Sequence, residues 1–119
     1  MAIKTISLDT RFNMSTNIPI PKQLETLTTL YHHGYKSDLI EQSLSKIINL
    51  ELHHAHEQAA HLKSKLSTYE NQYGMDSEQF YKQFMAGALG DAIDFVEWSA
   101  FYEMWHSVQE RIEVLGRSS

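Results

Sequence analysis

From Ile48 the apolar positions of this chain fall at Leu52, Ala55, Ala59, Leu62, Leu66, Tyr69 and Tyr73, alternating four and three residues apart. Such spacing is a heptad seam of about three repeats, and it commits this stretch to one long helix whose stripe another helix must cover. Ser37 is a good N-cap, so the helix is predicted from Ser37 to about Gln72, and Leu39, Ile40, Leu44 and Ile47 put its first turns in a broader core. A second stripe follows at Trp98, Phe101, Trp105, Val108, Ile112 and Leu115, again at spacings of three and four. Each large side chain on it is worth roughly 1.5–3 kcal/mol when fully buried, so a stable chain does not leave two tryptophans and a phenylalanine in water. The stripe is either intramolecular core or a surface that docks on another chain, because periodicity reports a face and not what covers it.

Between the two stripes Gly74 stands where a left-handed helix cap is wanted, and Asp76 with Gln79 has the spacing of a capping box, so a new helix is predicted there. It carries Phe80 and Phe84, with Tyr81 and Met85, and meets Gly87 and Gly90, after which Asp91 and Asp94 offer N-caps for the last helix.

Strand character is confined to Ile3–Leu8 and Thr16–Ile20, the second bracketed by Pro19 and Pro21. Pro19 lacks a ladder donor, which suits an edge strand or a two-stranded ribbon. Pro21 fits the first turn of a helix with Leu24, Leu27, Leu30 and Tyr31 on one face, and Gly34 stops it. Short strand, helix, turn and helix is similar in order to a ribbon-helix-helix module, a dimeric unit that lays a ribbon in the major groove of DNA. In that arrangement Ser15 and Asn17 would read base edges, and Lys4, Arg11 and Lys22 would meet phosphates, with Lys36 nearby. The expected fold class is therefore mainly α, with short N-terminal β-strands in a ribbon-helix-helix-like dimerisation module over residues 1–52. The long central helix and the C-terminal helices then form a partner-binding region over 53–119.

The run YGMDSEQFYKQFMAGALGDAIDFVEWSAFYEMW resembles the C-terminal half of small antitoxin-like proteins of bacteria and archaea, in the Tyr-Gly-Met turn, paired phenylalanines, Gly-Asp step and Glu-Trp element followed by Tyr-Glu. The residues that carry it are Tyr73, Gly74, Met75, Phe80, Phe84, Gly87, Gly90, Asp91, Asp94, Glu97, Trp98, Tyr102 and Glu103, and the run covers roughly a quarter of the chain. The resemblance implies one half of a type II toxin–antitoxin pair: a small cognate toxin bound by the C-terminal half, and operator DNA bound by the N-terminal half. Charge agrees with a basic partner, since residues 1–62 hold five basic and six acidic side chains while those from Lys63 onward hold five and nine. The expected partner contacts are Phe80, Phe84, Asp94, Glu97, Trp98, Tyr102 and Glu103. Trp98 would be the anchor, with Tyr102 widening the aromatic surface beyond one seam.

Six of seven histidines lie between Tyr31 and Leu62. His56 and His61 are five apart, a turn of about 140°, which the zinc-protease pattern does not tolerate. His53, Glu57 and His61 form a row four apart that could hold Zn²⁺ or Ni²⁺, although a solvated polar face is the ordinary meaning of such a row. Glu51 with His54, and Glu103 with His106, have the Glu-x-x-His spacing of di-iron bundles, but His54 points away from the seam. No Gly-rich phosphate loop, nucleophile elbow or cysteine is present, so a non-enzyme without disulfides, located in the cytoplasm, is expected. No apolar run approaches the ~18 residues of a membrane span. The seam calls for a homodimer or higher oligomer, and a structural α-helical oligomerisation protein is the alternative reading.

Overall fold

The computed structural model describes residues 18–117, in which α1 (Ile20–His32), α2 (Asp38–Tyr73), α3 (Ser77–Met85) and α4 (Ile93–Gly116) follow one another. The chain divides into two units, residues 1–39 and 40–119. Among the described residues there is no strand, and no helix is long and apolar enough to cross a membrane.

In the first unit the expected strand at Thr16–Ile20 is corrected. Ile20 is the first residue of α1, and Pro19, at φ −57° and ψ 142°, is its N-cap. The Pro19 carbonyl accepts the Lys22 and Gln23 amides, both at 3.1 Å, and the Gln23 side chain donates to the Ile18 carbonyl at 2.8 Å. These acceptors serve the first helical turn, so they are not available to a sheet ladder. The physical reason is Pro21, whose fixed φ and missing donor suit a helix start better than the β-branched neighbours suit a strand. With a helix starting at Ile20 no strand is found among the described residues, and the ribbon-helix-helix module and its DNA contacts are withdrawn with it. Lys4, Arg11, Ser15, Thr16, Asn17 and the segment Ile3–Leu8 lie outside the described residues, while Lys22 is an exposed residue of the first turn of α1. Gly34, at φ 88°, ends α1, and the next amide, Tyr35, reaches back to the Leu30 carbonyl at 3.1 Å. The Tyr31 hydroxyl accepts the Ser37 amide and donates to the Ser37 carbonyl, each at 3.1 Å.

The second unit is built on the seam. Ala55, Ala59 and Leu62 of α2 pack on Val108, with Phe101, Trp105, Ile112 and Leu115 against them. Tyr73 meets Phe95, Tyr69 meets Trp98, and Gln58 accepts a hydrogen bond from Arg111 at 3.0 Å, so α4 runs antiparallel to α2. The helix that the seam requires is thus supplied, from Ala55 onward, by the same chain. At one end two alanines, Ala55 and Ala59, take part in the packing on Val108; at the other end Leu66, Phe80 and Trp98 form a larger core into which α3 is wedged.

The wedge is held by the turn before it. Gly74, at φ 62°, takes the left-handed conformation, and its amide and that of Met75 both donate to the Glu70 carbonyl, at 2.8 and 3.3 Å. Asp76 caps α3 by accepting the Gln79 amide at 2.8 Å. At the start of α4 the expected aspartate caps are replaced by Ala92, which makes no side-chain cap bond, and Asp94 falls in the first turn instead. A carboxylate there still opposes the positive end of the helix.

Candidate functional site

Trp98 is the centre of the α2–α3–α4 core. Its ring stacks on Phe80 at 3.8 Å and 5°, and Tyr69 and Tyr73 lie at 5.6 and 5.7 Å. Its indole N–H donates to the Ser77 hydroxyl at 2.9 Å, and that hydroxyl donates in turn to Glu70 at 2.8 Å. The same Glu70 oxygen accepts the Ser77 amide at 2.8 Å. A buried N–H is thereby linked to a half-buried carboxylate through one serine, and no buried side-chain polar atom among the described residues is left without a partner.

This packing decides what each expected contact residue can offer. Trp98 and Phe80 are 1% and 0% exposed, so in the folded chain neither presents a face to a partner. Phe84 is half-buried and stacked on Phe80 at 5.5 Å. The three acidic residues each take a tyrosine hydroxyl from another helix: Tyr73 donates to Asp94 at 2.6 Å, Tyr81 to Glu103 at 2.7 Å, and Tyr69 approaches Glu97 at 3.5 Å. The bonds to Asp94 and Glu103 are the main reason that the Tyr73 and Tyr81 hydroxyls titrate above the ordinary tyrosine range, because the carboxylate favours the protonated phenol. For Tyr69 burial comes first, followed by the charge of Glu97. Tyr102 is also raised, by burial and then by the negative charges of Glu78 and Asp76.

Tyr102 and Glu103 lead to the surface feature that the seam argument missed. A groove runs between α3 and α4, lined by Glu78, Tyr81 and Lys82 on one side and by Tyr102, Glu103, His106, Ser107 and Glu110 on the other. It continues toward α2 past Trp105, Leu66, Lys63, Glu70, Asp76 and Ser77, sharing Glu78, Tyr102 and His106. Its aromatic wall is continuous: Tyr81 and Tyr102 lie 5.0 Å apart, and the His106 ring meets Tyr102 edge-on at 4.5 Å and Trp105 at 5.3 Å. Lys82 lies 3.8 Å from Glu78, with both side chains largely in solvent, so that pair neutralises little. Glu103, His106 and Glu110 are spaced three and four apart on α4, and Glu78 and Tyr81 three apart on α3. That periodicity was open to a sequence reader, but with no apolar stripe to mark it.

Among the described residues no group of three histidine, cysteine or acidic side chains comes together as a metal holder. Of the row His53, Glu57 and His61, the first two approach to 3.6 Å with 73% and 68% of their side chains exposed, and His61 is exposed one turn further on.

Compared with protein-family models, curated proteins and solved structures, the chain matches none. The resemblance to antitoxin-like proteins is accordingly corrected: no family match supports the C-terminal run, and the helix at Ile20 overturns the ribbon to which that run was joined.

Proposed function

We propose that the chain is a non-enzymatic, cytoplasmic binding protein that takes up a small basic protein in the groove between α3 and α4, neutralising it as an antitoxin neutralises a toxin. The observation that carries this reading is the groove itself, where Glu78, Glu103 and Glu110 stand around an aromatic wall of Tyr81, Tyr102 and His106. An interface of this make-up supplies aromatic contact area in its centre and charge complementarity at its rim. The reading rests on these residues and not on kinship, and it does not include operator binding.

Self-association belongs to the same proposal. Helix α1 has 13 residues and none of them is buried, with Ile20, Leu24 and Leu30 all exposed. Three large apolar side chains exposed on one short helix are surface that association would cover, so a second copy is proposed as their cover.

The test is co-expression with each protein encoded beside it. A stoichiometric complex with a small basic neighbour, together with relief of the growth arrest that this neighbour causes alone, is expected. Neighbours that neither arrest growth nor bind would overturn the reading.

A further inference from the structure

We infer that the groove between α3 and α4 selects arginine over lysine in its partner, receiving a guanidinium against the Tyr102 ring between the carboxylates of Glu78, Glu103 and Glu110. The inference rests on the binding reading above and names the chemistry that the same groove recognises.

Three features lead to it. First, the groove is walled by rings as well as by carboxylates: Tyr102 is half-buried, with Tyr81 at 5.0 Å and the edge of His106 at 4.5 Å. A planar, weakly hydrated guanidinium gains from lying on such a wall, whereas a compact ammonium keeps its water and gains less. Second, the acids are distributed on both sides. Glu78 comes from α3, and Glu103 and Glu110 come from α4, seven residues and therefore about 10 Å apart along the helix. A fork with several donors can reach carboxylates on two sides at once, which a point charge cannot do with the same geometry. Third, the charge balance of the groove is one-sided. Its only cation in this stretch, Lys82, meets Glu78 across a solvent-exposed 3.8 Å contact, which water screens. Glu103 is already aimed, because the Tyr81 hydroxyl holds one of its oxygens at 2.7 Å and leaves the other to a ligand. The occupant that fits is a basic segment of a protein partner with an arginine at its centre.

The experiment measures the anisotropy of two labelled peptides, one bearing arginines and one bearing lysines at the same positions, against the full chain. The arginine peptide is expected to bind about three- to fivefold more tightly, the size of an exposed cation–ring contact. In Glu78→Gln/Glu103→Gln/Glu110→Gln, whose altered side chains are all exposed, binding of both peptides should weaken by about tenfold with cooperative unfolding retained. In Tyr102→Leu the arginine-to-lysine ratio should fall toward the smaller preference that the carboxylates alone give to a fork of donors, a readout that a merely structural role for Tyr102 would not move. Equal affinity of wild type for the two peptides, or binding unchanged in the triple glutamine variant, would overturn the inference. A natural basic partner whose binding weakens in the triple glutamine variant but is unaffected by Tyr102→Leu would likewise sink the arginine assignment and leave the binding reading standing. Failure to find any basic partner strikes at the binding reading itself.

Discussion

Removing the Ser77 hydroxyl should cost far more than the loss of one exposed polar group, because it is the only link between the Trp98 indole and Glu70. In Ser77→Ala the main-chain amide still donates to Glu70, so the change isolates the side chain. Trp98 is 1% exposed, and its N–H would be left in the core without an acceptor, a penalty of about 1–3 kcal/mol. Loss of the hydroxyl's own bond to a carboxylate brings the expected total to roughly 2–4 kcal/mol. For a unit of this size each kcal/mol moves the melting temperature by roughly 4–8 °C, so a fall of about 10 °C or more is expected. Urea unfolding followed by tryptophan fluorescence gives the free energy directly. The control is a double-mutant cycle: in a Trp98→Phe background no N–H is stranded, and Ser77→Ala should then cost about 1 kcal/mol. A loss below about 0.5 kcal/mol in the wild-type background, or an equal loss in both backgrounds, would refute the linkage.

Ala59→Leu should destabilise by about 1–3 kcal/mol, since Ala59 is buried where α4 closes on the seam, whereas Ala60→Leu on the exposed side should be nearly neutral in the same urea titration. Gly74→Ala should lose roughly 1–2 kcal/mol of stability, all of it backbone cost, because φ is 62° and the new methyl group meets nothing within 4 Å. Tyr73 and Tyr81 titrate above the ordinary value of 10.0 in the folded chain, so their contribution is fully present below that pH and is lost as pH rises through the raised values. Melting points should therefore fall on the alkaline side of pH 10, and Tyr73→Phe/Tyr81→Phe should flatten that fall; an unchanged alkaline profile in the double variant would contradict the two hydrogen bonds.

Legibility varied along the chain for physical reasons. The α2 seam from Ile48 to Tyr73 was readable because a 3.5-residue period is maintained long enough to exclude a strand. What covers it was not readable: the same spacing suits a second copy or α4 of the same chain, and only the antiparallel contacts of Tyr69 with Trp98 and Gln58 with Arg111 decide. Trp98 shows the same limit, since an aromatic stripe looks alike as anchor and as core until Phe80 is found stacked on it. At Thr16–Ile20 the β-branched residues argued for a strand, but the start of α1 was set by the proline pair, a local backbone effect stronger than side-chain propensity over so short a stretch. The turn at Gly74 and Asp76 was legible because left-handed glycine and aspartate capping are local chemistry. The groove was hidden because it joins residues of α3 and α4 that are each ordinary exposed positions on their own helix.

The central claim is that partner contact lies at the α3–α4 groove and not at Trp98. Its most direct test is the dissociation constant of the basic partner for wild type and for Glu78→Gln/Glu103→Gln/Glu110→Gln, measured at low and at moderate salt. The groove account predicts about tenfold weaker binding in the variant, a shallower salt dependence, and cooperative unfolding well above the assay temperature. Identical affinity and identical salt dependence in the two proteins would place the interface elsewhere on the chain and contradict the account.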